Sequence, residues 1–118
     1  MNLEVVKKSK IEIEIGLNKD NYPIEINWKS SDAPAGYPIQ TAKAMLLSFL
    51  DKESRDTLKI DLFTNELMVV EMDKLMFDTL RTLANTYYQA TNNKELAEQM
   101  QHFAHYFGEK TEILKQNK

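Results

Sequence analysis

A chain of 118 residues, 42% hydrophobic and 28% charged, is long enough for one domain with its own core. A formal charge of −3 argues against a basic nucleic-acid surface, and the lack of cysteine excludes disulfides, thiolate metal sites and a cysteine nucleophile. No run approaches the roughly 18 apolar residues of a membrane span, and Met1 to Lys10 lacks a signal-peptide core, so a cytoplasmic location is expected.

Ser9 to Leu17 alternates, with Ile11, Ile13, Ile15 and Leu17 on one side and Glu12 and Glu14 on the other. This is the period of a half-buried strand. Asn18 to Asn21 reads as a turn, and Tyr22 to Ser31 alternates again through Ile24, Ile26 and Trp28. Pairing Leu17 with Tyr22 sets Ile15 against Ile24, Ile13 against Ile26 and Ile11 against Trp28, so turn and apolar faces agree on a hairpin. Ser30 to Pro38 is a loop, because Asp32, Pro34, Gly36 and Pro38 disfavour regular structure.

Thr41 to Leu50 admits a short helix or a strand. The strand is preferred because Thr57 to Thr64 alternates beyond the polar break Asp51 to Asp56. Pairing Phe49 with Leu58 sets Leu47 against Ile60 and Met45 against Leu62, a second hairpin.

From about Met72 the period becomes helical. Met72, Met76, Leu80, Leu83 and Tyr87 form one stripe, widened by Leu75 and Ala84. Asn92-Asn93 ends that helix and Asn93 suits the N-cap of the next. Leu96, Met100, Phe103 and Phe107 form the second stripe, and Gly108 suits a C-terminal stop. The expected fold is α+β: a four-stranded antiparallel sheet of two hairpins, with a two-helix hairpin packed on one face. It is read as a single domain over residues 1–118, with sheet at 9–64, helical hairpin at 72–107 and a frayed tail at 109–118.

Several blocks in order carry a family resemblance: KAMLLSFLD (Lys43 to Asp51), DTLKIDLFT (Asp56 to Thr64) and ATNNKELAEQMQHFAHYFGEK (Ala90 to Lys110). With IEIEI at Ile11 to Ile15 and EINWKSSD at Glu25 to Asp32, they resemble the GldC family over about Ser9 to Lys110. The resemblance implies an accessory part in bacterial gliding motility, which shares components with a protein-secretion machine. It implies no catalytic centre and carries over no functional residue. The order of four strands and two helices is also similar to the SecB export chaperone, an analogy of fold alone.

Candidate sites are few. Glu98, His102, His105 and Glu109 lie on one helical face, a stripe that can ligate a divalent metal. One helix rarely supplies enough ligands, so a solvated face with i, i+4 contacts is preferred. The acid pairs Asp61 and Glu66, and Glu71 and Asp73, fit an outward strand position and a helix start better than acid–base chemistry. Ser48 has no nucleophile motif around it. The methionines Met45, Met68, Met72, Met76 and Met100 fall mostly on core phases.

The second face of the third strand is more informative. With Met45, Leu47 and Phe49 assigned to the core, Ala44, Leu46 and Leu50 point the other way, joined by Phe63. An exposed apolar group of this kind favours a protein interface. The sequence thus reads as a non-enzymatic, cofactor-free, protein-binding accessory component that partners other motility proteins and itself, as a dimer or larger. Any membrane attachment would run through a partner. A SecB-like client binder is the alternative, and a small metal-dependent enzyme a distant third.

Overall fold

A computed structural model of the chain describes residues 2–34 and 38–116, the last of these by its backbone. The fold is α+β, with strands first and helices after. It divides into two compact units, Met1–Leu67 and Met68–Lys118.

Among the described residues the first unit holds five strands: β1 (Ile11–Leu17), β2 (Pro23–Ser30), β3 (Gln40–Ala42), β4 (Ala44–Leu50) and β5 (Thr57–Phe63). They form an antiparallel sheet in the order β1-β2-β3 and a two-stranded sheet of β4 and β5. The expected single sheet of four strands is corrected here, because the third strand is divided by a bend at Lys43. Before the bend, Gln40 to Ala42 pairs with β2; after it, Ala44 onward pairs with β5. The choice between helix and strand for residues 41–50 resolves as strand on both sides of the bend.

The β4–β5 register agrees with the sequence, with Phe49 opposite Leu58, Leu47 opposite Ile60 and Met45 opposite Leu62. The β1–β2 register does not. Ile15 faces Ile26, Ile13 faces Trp28 and Ile11 faces Ser30, two residues away from the expected pairing. The cause is the turn. Asn18 spans it, its N–H donating to the Tyr22 carbonyl at 3.0 Å while its side-chain oxygen accepts from the Asp20 and Tyr22 N–H groups. Asn21 takes a left-handed φ of 65°. Tyr22 is consumed by the loop, Leu17 pairs with Pro23, and the register slips between Gly16 and Leu17. A slip of two preserves which side chains share a face, so Ile26, 1% exposed, still lies among apolar neighbours. The expected loop ends in this unit lie at Ser30 and Pro38, and its residues 35–37 lie outside the described residues.

The second unit holds α1 (Val69–Thr91), α2 (Lys94–Lys110) and the short α3 (Ile113–Gln116). The Glu71 carboxylate accepts from the Met68 N–H at 3.0 Å and closes the start of α1. Asn92 ends α1 in the left-handed conformation, and the Asn93 side chain accepts from the Leu96 N–H as the N-cap of α2. Between the helices the buried residues are Phe77 and Ala84 of α1 and Ala97, Ala104 and Gly108 of α2. Small side chains let two helices approach, and the larger stripe residues Leu83, Leu96 and Phe103 stay about half exposed. Gly108 does not stop α2, which continues to Lys110. Nor is the segment beyond it wholly frayed: Ile113 in α3 is buried.

Candidate functional site

The β4–β5 hairpin presents two faces. On one, Ala44 and Phe63 are direct cross-strand partners, with Leu46 the next residue of β4 on that side. Phe63 is 59% exposed, and Ala44 and Leu46 are half-buried. Leu50, 71% exposed, belongs to the same face but stands apart. Ser48 lies between it and Leu46, and the Lys59 ammonium donates to the Ser48 hydroxyl at 2.8 Å. Asp61, opposite Leu46, is 3.4 Å from the Lys59 nitrogen. The structure therefore brings Ala44, Leu46 and Phe63 together and separates Leu50 from them by a polar belt.

The other face carries only apolar side chains: Met45, Leu47 and Phe49 of β4 against Leu62, Ile60 and Leu58 of β5. Phe49, Leu58 and Ile60 are 55%, 56% and 50% exposed. Sequence reasoning counted these as core. Their alternation was the signal that placed them on one face, but alternation says nothing about what covers that face.

The hairpin turn is held by Asp51, whose carboxylate accepts from the Ser54 N–H at 2.9 Å and the Glu53 N–H at 3.2 Å. These hydrogen bonds, Ser54 foremost, hold its pKa below the ordinary aspartate value. On the first sheet, Lys10 and Lys29 flank the Glu12 carboxylate and hold its pKa low. Trp28, Lys29 and Ser30 of β2 line a cavity of about 340 Å³ with Pro34, Pro38 and Gln40.

On α2, His105 pairs with Glu109 at 3.3 Å, an i, i+4 contact between exposed side chains. Among the described residues no three His, Asp or Glu side chains gather as metal ligands would. No helix of the described residues is long and apolar enough to cross a membrane.

The described residues thus form an α+β chain, strands before helices, with exposed apolar strand faces. Residues 23–113 match the family described as gliding motility-associated protein GldC-like. The match covers most of the chain, which belongs to this family. No curated protein and no solved structure matches it.

Proposed function

We propose that this chain is a non-enzymatic accessory protein of the gliding machinery that works by docking on another protein. The observation that carries the reading is the Ala44–Phe63 pair with Leu46 beside it, an apolar group on a strand face with Phe63 more than half exposed. Fully burying an exposed Phe or Leu is worth roughly 1.5–3 kcal/mol, of which Phe63 has more than half still to gain, and contiguous apolar surface is how protein-binding sites are marked. The Lys59–Asp61 belt beside the patch supplies the polar rim that a reversible interface carries. Family membership points the partner toward other motility proteins. Self-association is part of the same reading.

A photo-crosslinking residue in place of Phe63, introduced in gliding cells, tests it. The expected product is one motility protein captured in fixed ratio, and Leu46→Asp abolishes it while the chain stays folded. Capture of many unfolded polypeptides instead would favour the SecB-like client binder. No adduct from position 63 or from position 46 would remove the docking face.

A further inference from the structure

The outer edge of β5 carries a pattern that the docking face does not use. The Thr64 N–H donates to the Lys43 carbonyl at 2.8 Å, and the Asp51 N–H donates to the Asp56 carbonyl at 2.9 Å. In an antiparallel ladder residues alternate between pointing at the partner and away from it. Leu58, Ile60 and Leu62 therefore turn their backbone groups toward β4. Thr57, Lys59, Asp61 and Phe63 turn theirs to the open side. No strand of the described residues pairs there, since β4 is the only neighbour of β5. Seven residues without proline or register shift form an edge ready to accept another strand.

We infer that a second copy of this chain fills that edge, β5 against β5 antiparallel, with the two-fold axis between the two Ile60 residues. The side chains choose this register. About Ile60 the strand is complementary to itself: Lys59 meets Asp61 of the second copy, Asp61 meets its Lys59, Leu58 meets Leu62, and Thr57 meets Phe63. A two-fold axis normal to the sheet keeps each side chain on its face, so competing registers differ by two residues. One sets Lys59 against Lys59 and the other Asp61 against Asp61, and like charges directly opposite oppose pairing. The backbone agrees as well, because the open-side groups of Lys59 and Asp61 then bond each other across the axis. Among the described residues the other edge strands, β1, β3 and β4, lack this property: β3 and β4 carry no charged side chain, and β1 carries two glutamates and no basic residue. Centring β1 on Glu14 sets Glu14 against Glu14, centring it on Ile13 sets Glu12 against Glu14, and centring it on Ile15 sets Glu14 against Gly16, with no opposite charge to fix the register. The β5 pairing also joins two apolar faces of Met45, Leu47, Phe49, Leu58, Ile60 and Leu62 into one four-stranded surface. It specifies the self-association in the functional reading above but does not depend on a motility partner.

Charge reversal tests it on the full chain. Sedimentation over a dilution series should give a dimer for the unaltered protein. Lys59→Asp alone and Asp61→Lys alone should each lose the dimer while keeping the circular dichroism of the parent. Mixed one to one, the two variants should recover it as a heterodimer, because each acidic edge then meets a basic one. The contact between positions 59 and 61 within each chain stays like-charged in that mixture, so recovery reports pairing between chains. As an independent measurement, Ile60→Cys in this cysteine-free chain should oxidise to a disulfide-linked dimer and Leu58→Cys should not. The Ile60 pair is of the non-hydrogen-bonded kind, with Cα atoms about 4.5 Å apart, within disulfide reach. A parent protein that is monomeric at every concentration, single variants that remain dimeric, a mixture that stays monomeric, or an Ile60→Cys chain that does not crosslink would each overturn the pairing. Those results leave crosslinking from position 63 to a motility protein as a separate readout.

Discussion

Gly108 of α2 lies directly against the ring of Phe77 in α1: a β-carbon at position 108 would stand 2.6 Å from the ring's Cε1 atom and 3.0 Å from the Leu114 side chain. Phe77 is buried and has little room to yield. Gly108→Ala should therefore destabilise the helical unit, although alanine is the better helix former by about 1 kcal/mol. Overpacking of a buried contact costs about 1–3 kcal/mol, so a net loss of about 1 kcal/mol is expected. Thermal or urea denaturation reads it. Phe77→Leu should recover part of the loss in the double variant, a coupling that distant sites do not show. A Gly108→Ala protein more stable than the parent would mean the two helices are not in close contact at this point.

The junction between the helices depends on two asparagines with different tasks. Asn93 accepts the Leu96 N–H at 3.1 Å, and removing that acceptor in Asn93→Ala should cost about 1 kcal/mol. Asn92 sits at φ 60°, where a β-branched side chain is strained and glycine is not. Asn92→Gly should hold or raise the melting temperature, and Asn92→Val should lower it. Equal melting temperatures for the glycine and valine variants would contradict the left-handed turn.

Acid should loosen the β4–β5 turn through Asp51. Its carboxylate is favoured by the Ser54 and Glu53 N–H groups, so its pKa in the fold is lower than in the unfolded chain. A group depressed in this way contributes stability that is fully present above the unfolded value, about 3.9. The contribution is lost as pH falls through the lower, folded value. Asp51→Asn should flatten the acid limb of the stability curve below about pH 4 and leave its neutral region parallel to that of the parent. NMR titration of the Asp51 carboxyl gives the direct reading, with a midpoint below the ordinary value. A midpoint at the ordinary value would mean the turn is not anchored by this side chain.

These residues also show where sequence was sufficient. The β4–β5 pairing was legible because two alternating runs flank a polar turn of fixed length, and the patch Ala44, Leu46 and Phe63 followed from it. The break at Asn92-Asn93 and the N-cap at Asn93 were legible because asparagine favours turns and accepts from exposed N–H groups. The helix seam was legible only in part: Ala84, placed on the first stripe, is buried. Hydrophobic period selects large side chains, whereas Ala97, Ala104 and Gly108 are buried because they are small, and Phe77 lies beside the expected stripe. Leu50 was joined to the patch by parity alone, and the Ser48–Lys59 contact that separates it depends on cross-strand geometry. Thr41 and Ala42 of β3 fell within the expected third strand, but the bend at Lys43 and the pairing of this part with β2 left no mark in the alternation.

The first hairpin offers the sharpest check on register, because the turn and the alternation give different answers. Alternation is equally content with Ile11 or Ile13 opposite Trp28, since both lie on the same face. The turn decides: Asn21 in the left-handed region and the Asn18 hydrogen bonds spend Tyr22 in the loop, which moves Ile13 opposite Trp28. The Ser31 N–H donates to the Lys10 carbonyl, so by alternation Ile13 and Trp28 are a non-hydrogen-bonded pair with Cα atoms about 4.5 Å apart. Ile13→Cys with Trp28→Cys should therefore close an intramolecular disulfide in mild oxidant, detected as loss of two free thiols without change in chain mass on denaturing gels. Ile11→Cys with Trp28→Cys is displaced by two residues, roughly 7 Å along the strand, and should keep both thiols. If the second pair closes faster than the first, the turn is tighter than Asn18 to Tyr22 allows, and Leu17 pairs with Tyr22 after all.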